Sequence, residues 1–212
     1  MLKIKNLSKT YANGKVGVKN LSLSVESGDI CAFIGPNGSG KTTTIRCVVG
    51  TLDFTEGEIL IDNKSVKVNP LDCKKITAFI PDNPDIYTSL TGNEYLNFVA
   101  SVYRLPATER DQAIQYYAEQ WNLTNDLGLP IKSYSHGMRQ KISIMASLMS
   151  SPKLWILDEP TTGLDPLTTS NLLKYIASYA QKGNAIMFSS HNLDVVKRVC
   201  DRVIIIKKGN LI

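Results

Sequence analysis

The chain has 212 residues, 43% of them hydrophobic and 20% charged, which suits one compact domain, or a domain with a subdomain, around a full core. Its 24 Lys and Arg against 19 Asp and Glu give a net charge of +5, spread without a run, so no nucleic-acid partner is expected. No apolar stretch reaches the roughly 18 residues of a membrane helix, and Cys31, Cys47, Cys73 and Cys200 lack the paired spacing of a metal or redox motif, so reduced structural thiols are expected.

The N-terminus, MLKIKNLSKTY, alternates as a strand does and lacks the apolar core of a signal peptide, which predicts a cytosolic protein free to dock onto a membrane protein. Strands are predicted over Leu2–Asn6, Val16–Glu26 and Ile30–Ile34, with a turn at Ser27-Gly28. Directly after the third comes GPNGSGKTT, a full match to G-x-x-x-x-G-K-[ST], and then a helix through Ile45, Val48 and Val49. This stretch is Gly35, Pro36, Asn37, Gly38, Ser39, Gly40, Lys41, Thr42 and Thr43. Its glycines let the backbone bend until successive N–H groups face phosphate oxygens, and the helix N-terminus adds about half a positive charge. Lys41 is placed to reach β- and γ-phosphates, and Thr42 to put its hydroxyl on Mg²⁺.

Further strands are predicted at Glu58–Asp62 and Ile76–Ile80. Thr91-Gly92-Asn93-Glu94 reads as a capping box opening a helix to about Tyr103, and a second helix begins near Thr108. In KSYSHGMRQKISIMASLMS, a buried helix runs from Gln140 through Ile142, Met145, Ala146 and Met149. Its head, Ser135-His136-Gly137, is small or polar: either a cap or an exposed helix end that holds something.

From there strand and helix alternate: KLWILD, a helix over Pro166–Gln181, NAIMFSS, a helix over Leu193–Cys200, and RVIIIKKG. Alternation of this kind predicts a parallel α/β sheet. LWILDEP ends a buried strand in Asp158 and Glu159, at the edge where such sheets bind ligands. Asp158 suits a metal, and Glu159 suits a general base for an attacking water. FSSHNLD puts His191 at the end of the next strand, within reach of a γ-phosphate and that water. The last residues, KKGNLI, read as part of a hairpin, and the sequence as one trimmed there.

P-loop, Ser-x-Gly segment, Asp-Glu strand, TTGLDP and His191, in that order, resemble the nucleotide-binding domain of ABC transporters from Tyr11 to the end of the chain. The resemblance implies a single ATPase domain over residues 1–212. Its P-loop NTPase core has a mostly parallel sheet and an N-terminal antiparallel β subdomain (approximately 1–89 and 150–212). A helical subdomain (approximately 90–149) is inserted in that core. YSHGM occupies the place of the family's signature, usually Leu-Ser-Gly-Gly-Gln, so Ser135, His136 and Gly137 are expected to meet the γ-phosphate of ATP held by a second subunit's P-loop. A capping role for Ser135 is compatible with this. Tyr11 matches the aromatic that stacks on adenine, Asp165 the loop that crosses the dimer interface, and Leu90 to about Leu129 the part facing a membrane-spanning permease.

Three positions depart from the family pattern. His136 replaces a glycine, Met138 replaces a glutamine, and Asp82 stands where a glutamine usually touches Mg²⁺ and water. Aspartate is shorter and charged, yet offers the oxygen a hard cation favours. Asp82, with the Pro-x-x-Tyr pattern from Pro84 to Tyr87, resembles a subset of bacterial exporters related to antibiotic-resistance pumps.

The implied function is an ATP-hydrolysing, Mg²⁺-dependent subunit, peripheral on the inner face of the membrane. It would work as a head-to-tail dimer, of identical or different chains, on a separate permease. Two rivals stand beside it. A soluble relative acting on DNA or ribosomes would need a long coiled coil between Lys41 and Ser135, or two ATPase halves, and neither is present. A non-hydrolysing regulatory module is opposed by Lys41, Asp158, Glu159 and His191. Substrate and direction of transport stay open, with Asp82 leaning toward export.

Overall fold

The computed structural model describes residues 1–83 and 86–212, so Pro84 of the Pro-x-x-Tyr pattern lies outside the described residues. An antiparallel sheet is built from β1 (Leu2–Thr10), β2 (Val16–Val25), β4 (Glu56–Ile61) and β5 (Lys64–Ser65), in the order β2-β1-β4-β5. A second sheet has the order β10-β9-β3-β8-β7-β6, from β3 (Ile30–Ile34), β6 (Thr77–Ile80), β7 (Leu154–Asp158), β8 (Ala185–Ser190), β9 (Arg202–Lys207) and β10 (Asn210–Leu211). Its pairs are parallel except for β9 and β10, which form the hairpin expected from KKGNLI.

β3, β7 and β8 read as continuous apolar runs because both faces are covered. Side-chain alternation sorts them into two cores. Cys31, Phe33, Leu154, Ile156 and Met187 pack with Leu2, Ile4 and Leu7 of β1 and with Ile45 and Val48 of α1 (Lys41–Val48). Ala32, Trp155, Leu157, Ile186 and Phe188 face the helices on the other side. Burying one large apolar side chain stabilises by about 1.5–3 kcal/mol, more than the whole β-propensity scale of about 1 kcal/mol, so burial sets these strands.

The helical side comprises α3 (Gly92–Val102), α4 (Ala107–Gln120), α5 (His136–Leu148), α6 (Pro166–Gln181) and α7 (Leu193–Val199). α3 starts at the expected capping box: Glu94 N donates to Thr91 Oγ1 (3.2 Å) and Thr91 N donates to Glu94 Oε2 (2.8 Å). α5 begins four residues before Gln140, at His136, because Ser135 supplies the cap.

Three features escape the sequence reading. β1 continues to Thr10, past register shifts and an Asn6 at φ 50° that interrupt its alternation. β5 has two residues, and α2 (Pro70–Lys75) has six, too few for either period to emerge. Parallel register then decides what meets what: Ile34 pairs with Ser190, and Asp158 with Ser189. The residues that follow β3, β7 and β8 therefore emerge at one sheet edge.

Candidate functional site

A cleft of about 410 Å³ opens at that edge, lined by Asn37 to Thr43, Asp82, Asp158 and Glu159, with Tyr11 and residues 13 and 15–17 from the turn between β1 and β2 and the start of β2. The loop before α1 fits only as glycine at its ends. A Cβ on Gly35 would collide with the carbonyl of Ile206, and one on Gly40 (φ 113°) would lie 2.6 Å from the carbonyl of Gly17. α1 has no side-chain cap, so its first N–H groups stay available at the cleft.

Lys41 is 6% exposed, and its ammonium donates to the carbonyls of Gly35 (2.6 Å) and Pro36 (3.4 Å). The hydroxyl of Ser39 is buried and has no partner among the described residues. A buried cation held only by carbonyls and an orphaned hydroxyl are both costly unless an anion completes them. A polyphosphate fits that demand.

The acidic side is organised by β7 and β8. Asp158, 2% exposed, accepts from Thr42 Oγ1 through Oδ2 (2.9 Å) and from Ser189 Oγ through Oδ1. Ser189 Oγ in turn accepts from Glu159 N at 3.0 Å. Glu159 has φ 50°, a left-handed conformation costing a non-glycine residue on the order of 1–3 kcal/mol unless its surroundings hold it. Its carboxylate is 13% exposed, with Oε2 2.9 Å from Nδ1 of His191, whose own ring is 70% exposed. The imidazole expected to reach the γ-phosphate and the attacking water is thus in direct contact with the carboxylate of Glu159. Ser189 was missed by sequence reasoning; its signal is its register opposite Asp158, which needs the strand pairing.

The expected metal ligands Thr42 and Asp158 are in contact, and Asp82 lines the same cleft. Among the described residues no three His, Cys, Asp or Glu side chains converge to hold a metal by themselves. That donor set suits Mg²⁺, which keeps waters and takes phosphate oxygens beside one or two carboxylates.

Tyr11 sits at the cleft mouth, its hydroxyl 2.9 Å from Oγ1 of Thr43. Its ring lies so close to Gly17 that a Cβ there would be 2.9 Å from Cε2.

Ser135, His136 and Gly137 do not line this cleft. Ser135 caps α5, accepting from Met138 N at 3.2 Å, and both Ser135 and His136 are exposed. Met138 packs against the core. Asp165 caps α6, accepting from the hydroxyl (2.6 Å) and the N–H (2.8 Å) of Thr168, and these two bonds hold its carboxyl below the usual carboxylate range. One chain thus presents a polyanion cleft and, apart from it, a capped and exposed helix head.

The profile of a family described as "ABC transporter" matches residues 18–162. An uncharacterized ABC transporter ATP-binding protein of Bacillus subtilis, YdbJ, is 37% identical over 212 residues, covering all of this chain and 68% of the relative. The SkfA peptide export ATP-binding protein SkfE of the same organism is 34% identical over 211 residues, covering all of this chain and 87% of the relative. Among solved structures, the ATP-binding subunit of an ABC transporter superposes with a TM-score of 0.94 at 32% identity, over all of this chain and 88% of the other. A dimeric, post-hydrolysis ATP-binding cassette with ADP and Pi, MJ0796, superposes at 0.91 with 25% identity, over all of this chain and 96% of the other.

Proposed function

Because the chain belongs to the ABC transporter family, we propose that it is the ATP-hydrolysing subunit of an exporter, paired head-to-tail with a second such subunit and docked on a separate permease. The observation that carries the reading is the uncompensated Lys41 and Ser39 in a glycine cradle, facing Asp158 and Glu159 across one cleft, with His191 hydrogen-bonded to Glu159. Phosphate release from Mg-ATP by the purified chain tests it. ATP binding without release would overturn it in favour of a regulatory module.

In this reading the backbone from Gly35 to Thr43 and the Lys41 ammonium hold the β- and γ-phosphates. Thr42, Asp158 and Asp82 would hold Mg²⁺, which supplies positive charge against the phosphate oxygens. Glu159 accepts the proton of the attacking water, and His191 orients the carboxylate through its hydrogen bond while reaching toward the γ-phosphate. Ser135, His136 and Gly137 face the γ-phosphate on the partner's P-loop, and Asp165 lies at the interface. Residues 1–89 and 150–212 form the core and residues 90–149 the helical subdomain.

A groove of about 280 Å³ between α3, β6 and α5 supports a permease contact, lined by Tyr95, Phe98, Val99, Val102 and Tyr103 among others. Phe98 and Val102 are 46% and 62% exposed. No helix among the described residues is long and apolar enough to cross a membrane. In this reading a separate permease forms the pathway, and this chain docks on its cytoplasmic face. Asp82 and the kinship with a peptide export subunit favour export.

Two substitutions test individual contacts. Base–aromatic stacking is worth about 1–3 kcal/mol, so Tyr11→Ala is expected to weaken ATP binding about five-fold or more in a titration. Tyr11→Phe should lie between the two, since it keeps the ring and loses the tether to Thr43. Unchanged affinity in the alanine variant counts against stacking. Asp82→Ala is expected to raise the Mg²⁺ concentration for half-maximal hydrolysis several-fold, on the order of the loss of one carboxylate ligand, with nucleotide binding in a chelator unchanged. An identical Mg²⁺ dependence would leave Asp82 a turn residue.

A further inference from the structure

We propose that His136 is a positioning residue that couples the exposed head of α5 to Glu159 through Thr162, an inference that rests on the general-base reading of Glu159. His136 and Gln140 are one helical turn apart, on one face of α5. That face grips the segment that follows Glu159. Nε2 of His136 lies 3.3 Å from the carbonyl of Thr162, and Nε2 of Gln140 donates to the carbonyl of Pro160 at 3.3 Å.

Thr162 is joined to the base as well, because its N–H donates to the carbonyl of Glu159 at 3.1 Å. One residue therefore links the helix head and the base. Gly163, at φ 75°, makes the approach close: a Cβ there would overlap the His136 ring. The far end of the segment is pinned by Asp165, which caps α6.

Glu159 holds a left-handed backbone, and such a conformation persists only where neighbours over-determine it. Ser189 Oγ fixes its N–H, and the Thr162 turn fixes its carbonyl. Of the side chains of α5 that hold this segment, Gln140 is buried and His136 is exposed. His136 is thus where an event at the head of α5 reaches the base. Arrival of a phosphate beside Ser135 and His136 moves or tightens the imidazole, and Thr162 passes the change to Glu159. A glycine at position 136 has no side chain with which to do this.

Two variants separate this role from packing. His136→Phe keeps a ring over Gly163 and removes the donor to Thr162; His136→Gln keeps an amide donor. In the nucleotide-free chain, amide hydrogen exchange across residues 161–164 is expected to rise about ten-fold in His136→Phe and to stay within about two-fold in His136→Gln. Exchange in β3 and the P-loop should be unchanged in both, which reports an intact fold. In phosphate release, misplacing a base by a fraction of an ångström should lower kcat about ten-fold in His136→Phe, with KM for ATP within about two-fold and recovery in His136→Gln. The proposal is overturned if exchange or kcat in His136→Phe stays within two-fold of the unmodified chain, or if His136→Gln is equally impaired. An active Glu159→Gln chain overturns the general-base reading and this inference with it. An inactive Glu159→Gln chain beside an unimpaired His136→Phe chain overturns this inference alone.

Discussion

Glu159→Gln is expected to retain ATP binding while kcat for phosphate release falls at least about 100-fold, the lower end of what a general base contributes. Glutamine keeps the shape of the side chain and can still accept from Nδ1 of His191 through its amide oxygen, so the 2.9 Å contact survives without the basicity. The backbone anchors of residue 159, to Ser189 Oγ and to Thr162 N, do not involve the carboxylate. The loss should therefore be chemical rather than structural. Removing a negative charge that faces the γ-phosphate should also favour the closed dimer, which size-exclusion chromatography with ATP would register as a stable, doubled mass. Retention of half or more of the turnover would refute the base assignment.

The second large effect concerns two lesions that should be lethal apart and complementary together. Lys41→Ala removes the buried ammonium, and Ser135→Glu sets a carboxylate at the exposed head of α5. If each ATP lies between one chain's cleft and the other chain's helix head, a mixed dimer has one site with both lesions and one with neither. Equal mixing should restore about one quarter of normal turnover, because half the dimers are mixed and half their sites are intact. Where both sites must fire together, ATP-driven dimerisation of the mixture replaces turnover as the measure. Ser135 also caps α5, and losing a cap costs about 0.5–2 kcal/mol, so single-chain ATP binding and helix content must be measured alongside. Loss of both in Ser135→Glu would reduce the serine to its capping role.

Much of the candidate site was legible because its chemistry is local. The glycines of residues 35–40, the lysine and threonine behind them, the buried strand ending in Asp158-Glu159 and the capping box at Thr91 are encoded within a few residues. Composition and period were enough for most strands and most helices. Distance in the chain hid the rest. The hydroxyl bond from Tyr11 to Thr43 joins the turn after β1 to α1, and Ser189 meets Asp158 only through parallel register.

The sequence by itself determined which groups stand at the ends of β3, β7 and β8, because an apolar run, a glycine turn and a helix start are short-range consequences of side-chain volume and backbone freedom. Tertiary structure alone decided how those groups meet. It aligned Asp158 between Thr42 and Ser189, set His191 against Glu159, and laid His136 over Gly163 with its nitrogen on Thr162. Each contact spans 26 to 116 positions in sequence. Nothing local selects such a partner; the register of buried strands and the packing of α5 do, since a one-residue slip would turn each strand's side chains to the opposite core.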